Sequence, residues 1–265
     1  MIVDTHCHYN LEPLFDSWEE HWQKAQAIGV IASVVVGTDV DSSSRAIELA
    51  KQNPHFVATV GFHPNFFRTQ EQLTELSKLD ALILNESVVA VGEIGLDYFR
   101  LSDSATDVEI KELQKQAFRE QLEIAAKHSL PVCIHVRDKQ EQAYFDVLEI
   151  LSSVERGNVP FILHCISGPI AYVQKALELG AYIGVAGNST YPKSEAIKNA
   201  IALAPIDRIL LETDAPFLPP QTHRGQVCEP YMIAETATHL FSEKSITADQ
   251  ILSNTQAAFL DKLPL

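Results

Sequence analysis

Near its start the chain reads Ile-Val-Asp-Thr-His-Cys-His, placing His6 and His8 one residue apart behind an apolar run. In a strand, side chains at i and i+2 share a face, so both imidazoles can reach one metal ion. Other short apolar runs end the same way. His63 follows Val60, Glu93 and Asp97 follow Val91, and His135 and Arg137 follow Val132 and Ile134. His164 closes Phe-Ile-Leu, and Glu212 and Asp214 close Ile-Leu-Leu. A lone histidine behind an apolar strand is more often a hydrogen-bonded core residue than a ligand. Six strand ends of this kind are a different matter, because buried polar groups without partners are costly. One shared metal centre would satisfy His6, His8, Glu93, His135, His164 and Asp214 together, with donor types suited to divalent ions.

Something must bring those ends to one place. Apolar runs near 2–6, 32–37, 56–61, 88–94, 131–135, 161–164, 181–185 and 209–212 read as strands. Amphipathic stretches near 17–28, 41–52, 69–79, 107–128, 138–152, 168–179, 193–203, 231–242 and 247–260 read as helices. Asp41, Ser42 and Ser43 supply capping side chains for the second helix, and Gly180 supplies a stop after Leu179. Pro131 opens a strand, where its missing N–H costs little. Eight Val/Ile-rich strand–helix units predict an α/β fold, a (β/α)8 TIM barrel, whose reactive side chains sit at the C-terminal ends of its strands. The 265 residues suit one such barrel, and residues 1–265 read as a single domain without a linker.

Composition narrows the setting. The formal net charge is −15, which excludes an overall basic surface for gripping long duplex DNA. An anionic substrate would have to be held locally, by cations and a few arginines. No leader-like segment precedes the first strand, no run is long and apolar enough to span a membrane, and the expectation is a cytoplasmic protein. Cys7, Cys133, Cys165 and Cys228 form no CxxC pair and are expected to be reduced and buried.

The chain resembles the TatD family of metal-dependent deoxyribonucleases, within the amidohydrolase-type barrels. The resemblance rests on Asp-Thr-His-Cys-His-Tyr-Asn (4–10), Gly-Phe-His-Pro (61–64), Val-Gly-Glu-Ile-Gly-Leu-Asp-Tyr (91–98), Leu-Pro-Val-Cys-Ile-His-Val-Arg (130–137), His-Cys-Ile-Ser-Gly (164–168) and Leu-Glu-Thr-Asp-Ala-Pro (211–216). It covers nearly the whole chain, and Asn254 and Phe259 match the family's closing Asn and Phe. It implies two divalent ions (Zn, Mn or Mg), one held by His6, His8 and Asp214, the other by His135 and His164, with Glu93 bridging. It also implies that His63 contacts substrate phosphate. Two departures stand out. Ile166 replaces the family's Phe, and Val227 and Cys228 replace an Arg-Asn pair.

The expected activity is phosphodiester hydrolysis, as a 3′–5′ exonuclease on single-stranded or frayed DNA, with Glu93, Asp214 and His63 as catalytic residues. Asp214 would also accept the attacking water's proton. His63 would donate to phosphate or the leaving oxygen with a pKa near working pH; its alternative is a structural hydrogen bond beside Pro64. Asp97 either orients a ligand histidine or caps its loop. Glu212 fills a polar layer beneath Asp214. Arg68, Arg100, Arg137 and Arg224 would form a phosphate collar or be ordinary surface arginines, with Arg137 favoured. Phe62, Phe66, Phe67, Tyr98, Phe99 and Phe217 would stack on bases or pack their loops. A barrel hydrolase acting on an ester, lactone or amide is the competing reading, and a non-catalytic metal-binding adaptor is a third. Neither a membrane nor an obligate protein partner is expected.

Overall fold

The structure, a computed structural model, describes residues 1–155 and 157–265. Eight parallel strands form one sheet in the order of the chain: β1 (Ile2–Cys7), β2 (Val30–Val36), β3 (Phe56–Val60), β4 (Val88–Asp97), β5 (Val132–Arg137), β6 (Phe161–Leu163), β7 (Tyr182–Val185) and β8 (Ile209–Leu211). Register is set by pairs such as Val34 with Val57, Gly95 with His135 and Gly184 with Leu210. Helices α1 (Trp18–Ala27), α2 (Val40–Gln52), α3 (Leu79–Ile83), α4 (Ala105–His128), α5 (Gln142–Ser153), α6 (Ile170–Glu178) and α7 (Glu195–Leu203) alternate with the strands, and α8 (Ile233–Glu243) and α9 (Ala248–Ala258) follow β8. This is the predicted TIM barrel.

Side chains bridge β8 to β1. Thr5 Oγ1 donates to the Leu211 carbonyl at 3.1 Å, and Asp4 accepts from Thr213 N at 3.0 Å and from Thr213 Oγ1 at 2.7 Å. Above them, Asp214 N donates to His6 O and His8 N to Ala215 O. The seam therefore fixes Asp214 against the two histidines of β1.

Two apolar layers follow from strand alternation. The larger lies between strands and helices and includes Phe118 and Leu122 of α4, both buried. The smaller draws on every strand, from Val3 of β1 to Leu210 of β8, together with Phe259 and Leu263 from the end of the chain. Side chains from all eight strands can meet only inside the barrel, so its floor is packed and the polar residues are confined to the other rim.

Three expectations needed correction. The segment expected as a helix over 69–79 is a 3-10 helix, Gln70–Lys78, that runs into α3. The cap of α2 is Asp39, not the Asp41–Ser43 group: its carboxylate accepts from Ser42 N while Ser42 Oγ accepts from Asp39 N, a reciprocal box. Helix α5 begins at Gln142 and not at 138, because the Asp138 carboxylate folds the chain into a turn by accepting from Gln140 N and Ala143 N. Gly180 does stop its helix, with φ +91°.

Candidate metal centre

Parallel strands present their C-terminal ends on one rim, which is how residues from 6 to 214 become neighbours. His6 and His8 leave the end of β1, Glu93 lies within β4, His135 within β5, His164 just past β6, and Asp214 just past β8. All six meet in two overlapping groups. In the first, Nε2 of His6 and Nε2 of His8 are 3.3 Å apart. Glu93 Oε2 lies 3.6 and 3.7 Å from them, and Asp214 Oδ1 3.6 and 3.4 Å. In the second, Glu93 Oε1 lies 2.8 Å from His135 Nδ1 and 2.9 Å from His164 Nε2, which are 3.3 Å from each other. Glu93 thus sends one oxygen into each group.

The first group fits a cation. Ligands about 2.0–2.1 Å from a tetrahedral ion stand about 3.3–3.4 Å apart, close to the 3.3–3.7 Å that separates the two histidine nitrogens from each other and from each carboxylate oxygen. The ring orientations fit as well. His8 Nδ1–H donates to the Val36 carbonyl at 2.9 Å, which leaves the Nε2 lone pair facing the other donors. His6 and His164 stack with centroids 4.0 Å apart, and the Nδ1 atom of each is buried without a hydrogen-bond partner.

Carboxylates stand behind the histidines. Asp97 Oδ2 lies 3.4 Å from His135 Nε2 and accepts from Asn65 Nδ2 at 2.9 Å, while Oδ1 accepts from Phe99 N at 3.0 Å. Asp97 therefore caps its loop through Phe99 N, while its other oxygen stands near His135 Nε2, which has no hydrogen-bond partner among the described residues. Glu212 is fully buried; its Oε1 accepts from Cys165 N at 2.5 Å and lies 3.7 Å from His164 Nδ1. Its carboxylate occupies the space beside Gly184, where any Cβ would overlap it.

Charge follows from this crowding. Burial pushes the His6 imidazole down to about 4, helped by His164. Burial also opposes protonation of His8, His135 and His164, yet Asp214 and Glu93 at His8, Asp97 and Glu93 at His135, and Glu93 at His164 outweigh it. His164 is raised to about 10, and His8 and His135 are raised as well. Burial acts to raise Glu93, but the surrounding histidines hold it well below the usual carboxylate range. Protons on histidine balance the carboxylates here, and a divalent ion has to displace them.

His63 sits over the second group, with Nε2 3.8 Å from Glu93 Oε1 and its ring 4.4 Å from that of His135. Its Nδ1 accepts from Asn65 N at 3.1 Å, so in the neutral ring the proton is on Nε2, facing the site. The expected pKa near neutrality is not found. Burial, then His135, lowers it to about 4. His63 is a neutral hydrogen-bond donor.

Five of the six residues, all but the buried His6, border a cavity of about 660 Å³, walled by Thr38, Asn65, Phe66, Arg137, Asn188 and Phe217. The arginine collar reduces to Arg137. Arg68 lies in an outer groove of about 880 Å³ along α4 and α5. Arg100 is exposed away from the cavity wall, and Arg224 lies 4.5 Å over the Tyr191 ring, also outside it. Among the aromatics, Phe62, Phe67 and Tyr98 are buried in loop packing and cannot meet a ligand. Phe66 and Phe217 line the cavity, and Phe99 stands beside it under Arg137. Cys7, Cys133 and Cys228 are buried, but Cys165 is only partly so and reaches the cavity wall, because the chain turns there at φ +45°. Of the two departing residues, Val227 is exposed, and Cys228 is buried with its N–H on Pro216 O; neither lines the cavity. Sequence reading missed Asn65, Thr38 and Asn188. Asn65 alone carried a signal, lying two residues past His63 in the same strand-end motif.

A TIM barrel whose catalytic rim gathers four histidines and two carboxylates into cation-sized groups defines a metal-dependent hydrolase. Comparison with known proteins narrows this. The family model described as TatD related DNase matches residues 3–261, and the chain belongs to that family. YabD of Bacillus subtilis (strain 168), described as an uncharacterized metal-dependent hydrolase, is 34% identical over 257 residues, covering 96% of both chains. The crystal structure of YjjV, a TatD homologue from Escherichia coli K12, superposes with a TM-score of 0.86 at 29% identity, covering 98% of each chain. The organophosphorus hydrolase from Deinococcus radiodurans shares the fold at a TM-score of 0.65 and 14% identity, covering 97% of this chain and 92% of its own. No helix among the described residues is long and apolar enough to cross a membrane.

Proposed function

We propose that the protein is a deoxyribonuclease that removes nucleotides from the 3′ end of single-stranded or frayed DNA with the help of two divalent ions. The observation that carries this reading is the split carboxylate of Glu93, with one oxygen in each donor group. His6, His8, Asp214 and Glu93 would hold one ion, and His135, His164 and Glu93 the other. When bound, such a pair lowers the pKa of water and neutralises charge on a phosphodiester in the transition state. Zinc or manganese suits the histidine-rich donors best, and magnesium the carboxylates.

The chain's own groups supply the rest. His63 presents Nε2–H toward the second group, where it can donate to a phosphoryl or leaving oxygen. Asp214 lies beside His6 and His8, placed to take a proton from the attacking water. Its backbone is in the left-handed region at φ +61°, which aspartate tolerates better than most residues, and its N–H is fixed on His6 O. Asp97 orients His135. The cavity, about 660 Å³, is of small-ligand size. It suits an unpaired terminal nucleotide better than a base pair with two backbones. Phe66 and Phe217 offer ring faces at its wall to a terminal base.

The test is metal analysis of the purified protein together with digestion of 3′- and 5′-labelled single-stranded DNA by wild type and Glu93→Ala. The expected result is bound divalent metal and stepwise 3′ shortening, both lost in the variant. Turnover of esters or cyclic amides with no cleavage of DNA would overturn the reading.

A further inference from the structure

We propose that Arg137, Lys139 and Phe99 form a second phosphate subsite at the mouth of the cavity, one that recognises the phosphate next to the one being cleaved. The inference rests on the nuclease reading and deepens it: the preferred substrate is a chain of phosphodiesters, not a single one.

Arg137 ends β5, on the same face of the strand as His135. Two strand residues rise about 7 Å, which carries the guanidinium from the donor groups outward to the cavity wall. There its Cζ lies 3.9 Å from the centroid of the Phe99 ring, and Lys139 Nζ lies 4.2 Å from the same centroid. Among the described residues this is the only ring that carries two cations. Arg45, Lys111, Arg208 and Arg224 each lie over a ring of their own.

What the two cations lack is as telling. No carboxylate among the described residues lies within ion-pair distance of either, although the chain has 35 acidic and 20 basic residues. The acids nearby are already engaged. Asp138, between them in sequence, accepts from two backbone N–H groups of its turn. Asp39 on the cavity wall caps α2, and Asp97 is shared by Asn65, Phe99 N and His135. Two like charges held against one ring repel each other, and a phosphate anion close to both relieves that repulsion. The guanidinium offers a fork of donors to phosphate oxygens, the ammonium a compact point charge, and the ring limits the freedom of both. In an acidic protein such a pair beside the reactive cavity is built for an anion.

The test uses two trinucleotides, thymidine oligomers with the same scissile bond. In one the adjacent linkage is an ordinary phosphodiester; in the other it is an uncharged methylphosphonate. For the metal-loaded wild type, kcat/KM should fall about tenfold or more on the uncharged substrate, the scale of losing hydrogen bonds to a charged group. Arg137→Gln/Lys139→Gln should show a similarly low kcat/KM on both substrates. Its logarithmic salt dependence on longer single strands should be shallower by about 0.7, one phosphate contact. Both side chains are exposed, so the variant's melting temperature should match wild type. A wild type indifferent to the methylphosphonate overturns the subsite, and so does a variant that discriminates as strongly as wild type. A wild type that cleaves neither trinucleotide, nor any longer DNA, overturns the nuclease reading and the subsite with it.

Discussion

Replacing Asn254 should separate stability from metal binding. The residue lies in α9, is buried, and donates through Nδ2 to the Ile206 carbonyl at 2.7 Å and the Ile209 carbonyl at 2.8 Å. Its Oδ1 accepts from Gln250 Nε2 at 2.9 Å. Asn254→Ala leaves the buried Ile209 carbonyl and the more open Ile206 carbonyl without that donor, the first costing about 1–3 kcal/mol and the second less, since water can reach it, so the loss is about 2–4 kcal/mol. For a chain of this length about 2 °C of melting temperature follows each kcal/mol, which gives a fall of about 4–8 °C. Asn254→Asp should be worse, because a carboxylate cannot donate and would face two carbonyl oxygens. Ile209 opens β8, at the opposite end of the barrel from Asp214. Divalent-metal affinity of the folded variants should therefore match wild type. Thermal melts followed by circular dichroism and a chelator-competition titration decide the matter. A melting temperature within 1 °C of wild type for the Ala variant, or an Asp variant more stable than the Ala variant, would refute the reasoning.

Asp97→Asn should weaken divalent-metal affinity about tenfold to a hundredfold, as loss of a ligand's outer partner commonly does; unchanged affinity in the same competition titration would reduce Asp97 to a loop staple. Gly184→Ala puts a methyl group into the Glu212 carboxylate and should cost about 1–3 kcal/mol in urea unfolding; no loss would mean that the carboxylate swings aside freely. Burial acts to raise Glu229, but Lys24 Nζ at 2.7 Å and His21 Nδ1 at 3.0 Å outweigh it and hold its carboxyl below its ordinary 4.5. That stabilisation is present above pH 4.5 and is lost as pH falls through the lower folded value. Glu229→Gln should therefore destabilise the protein near pH 6 and lose that disadvantage at the acid end, and a constant difference across the range would contradict the pairing.

The barrel was legible because its strands are continuous apolar runs, and a parallel sheet covered by helices needs that pattern. The strand ends were legible for the complementary reason: His, Glu and Asp behind such runs have no apolar use. What stayed hidden depends on the path of the loops. Arg68 and Arg137 look alike in sequence, each just past a motif, yet only Arg137 continues a strand whose alternation aims it at the cavity. Phe62 and Phe66 both flank His63, but their burial depends on which lies over α4, where Gln121 binds the backbone of Phe62 on both sides. The cap of α2 was misplaced by two residues because Asp39 and Asp41 are both competent, and only the end of β2 decides where the helix can start. The pKa of His63 could not be read at all, since it reflects burial and the neighbouring His135.

Because the seam joins the beginning of the barrel to its last strand, the first donor group draws on both ends of the fold. His6 and His8 leave the ribosome some two hundred residues ahead of Asp214. A nascent chain therefore carries these histidines through that interval without the aspartate that stands beside them in the folded barrel. A product broken off before β8 has neither the seam nor the aspartate, so no fragment that stops short of β8 holds that group intact.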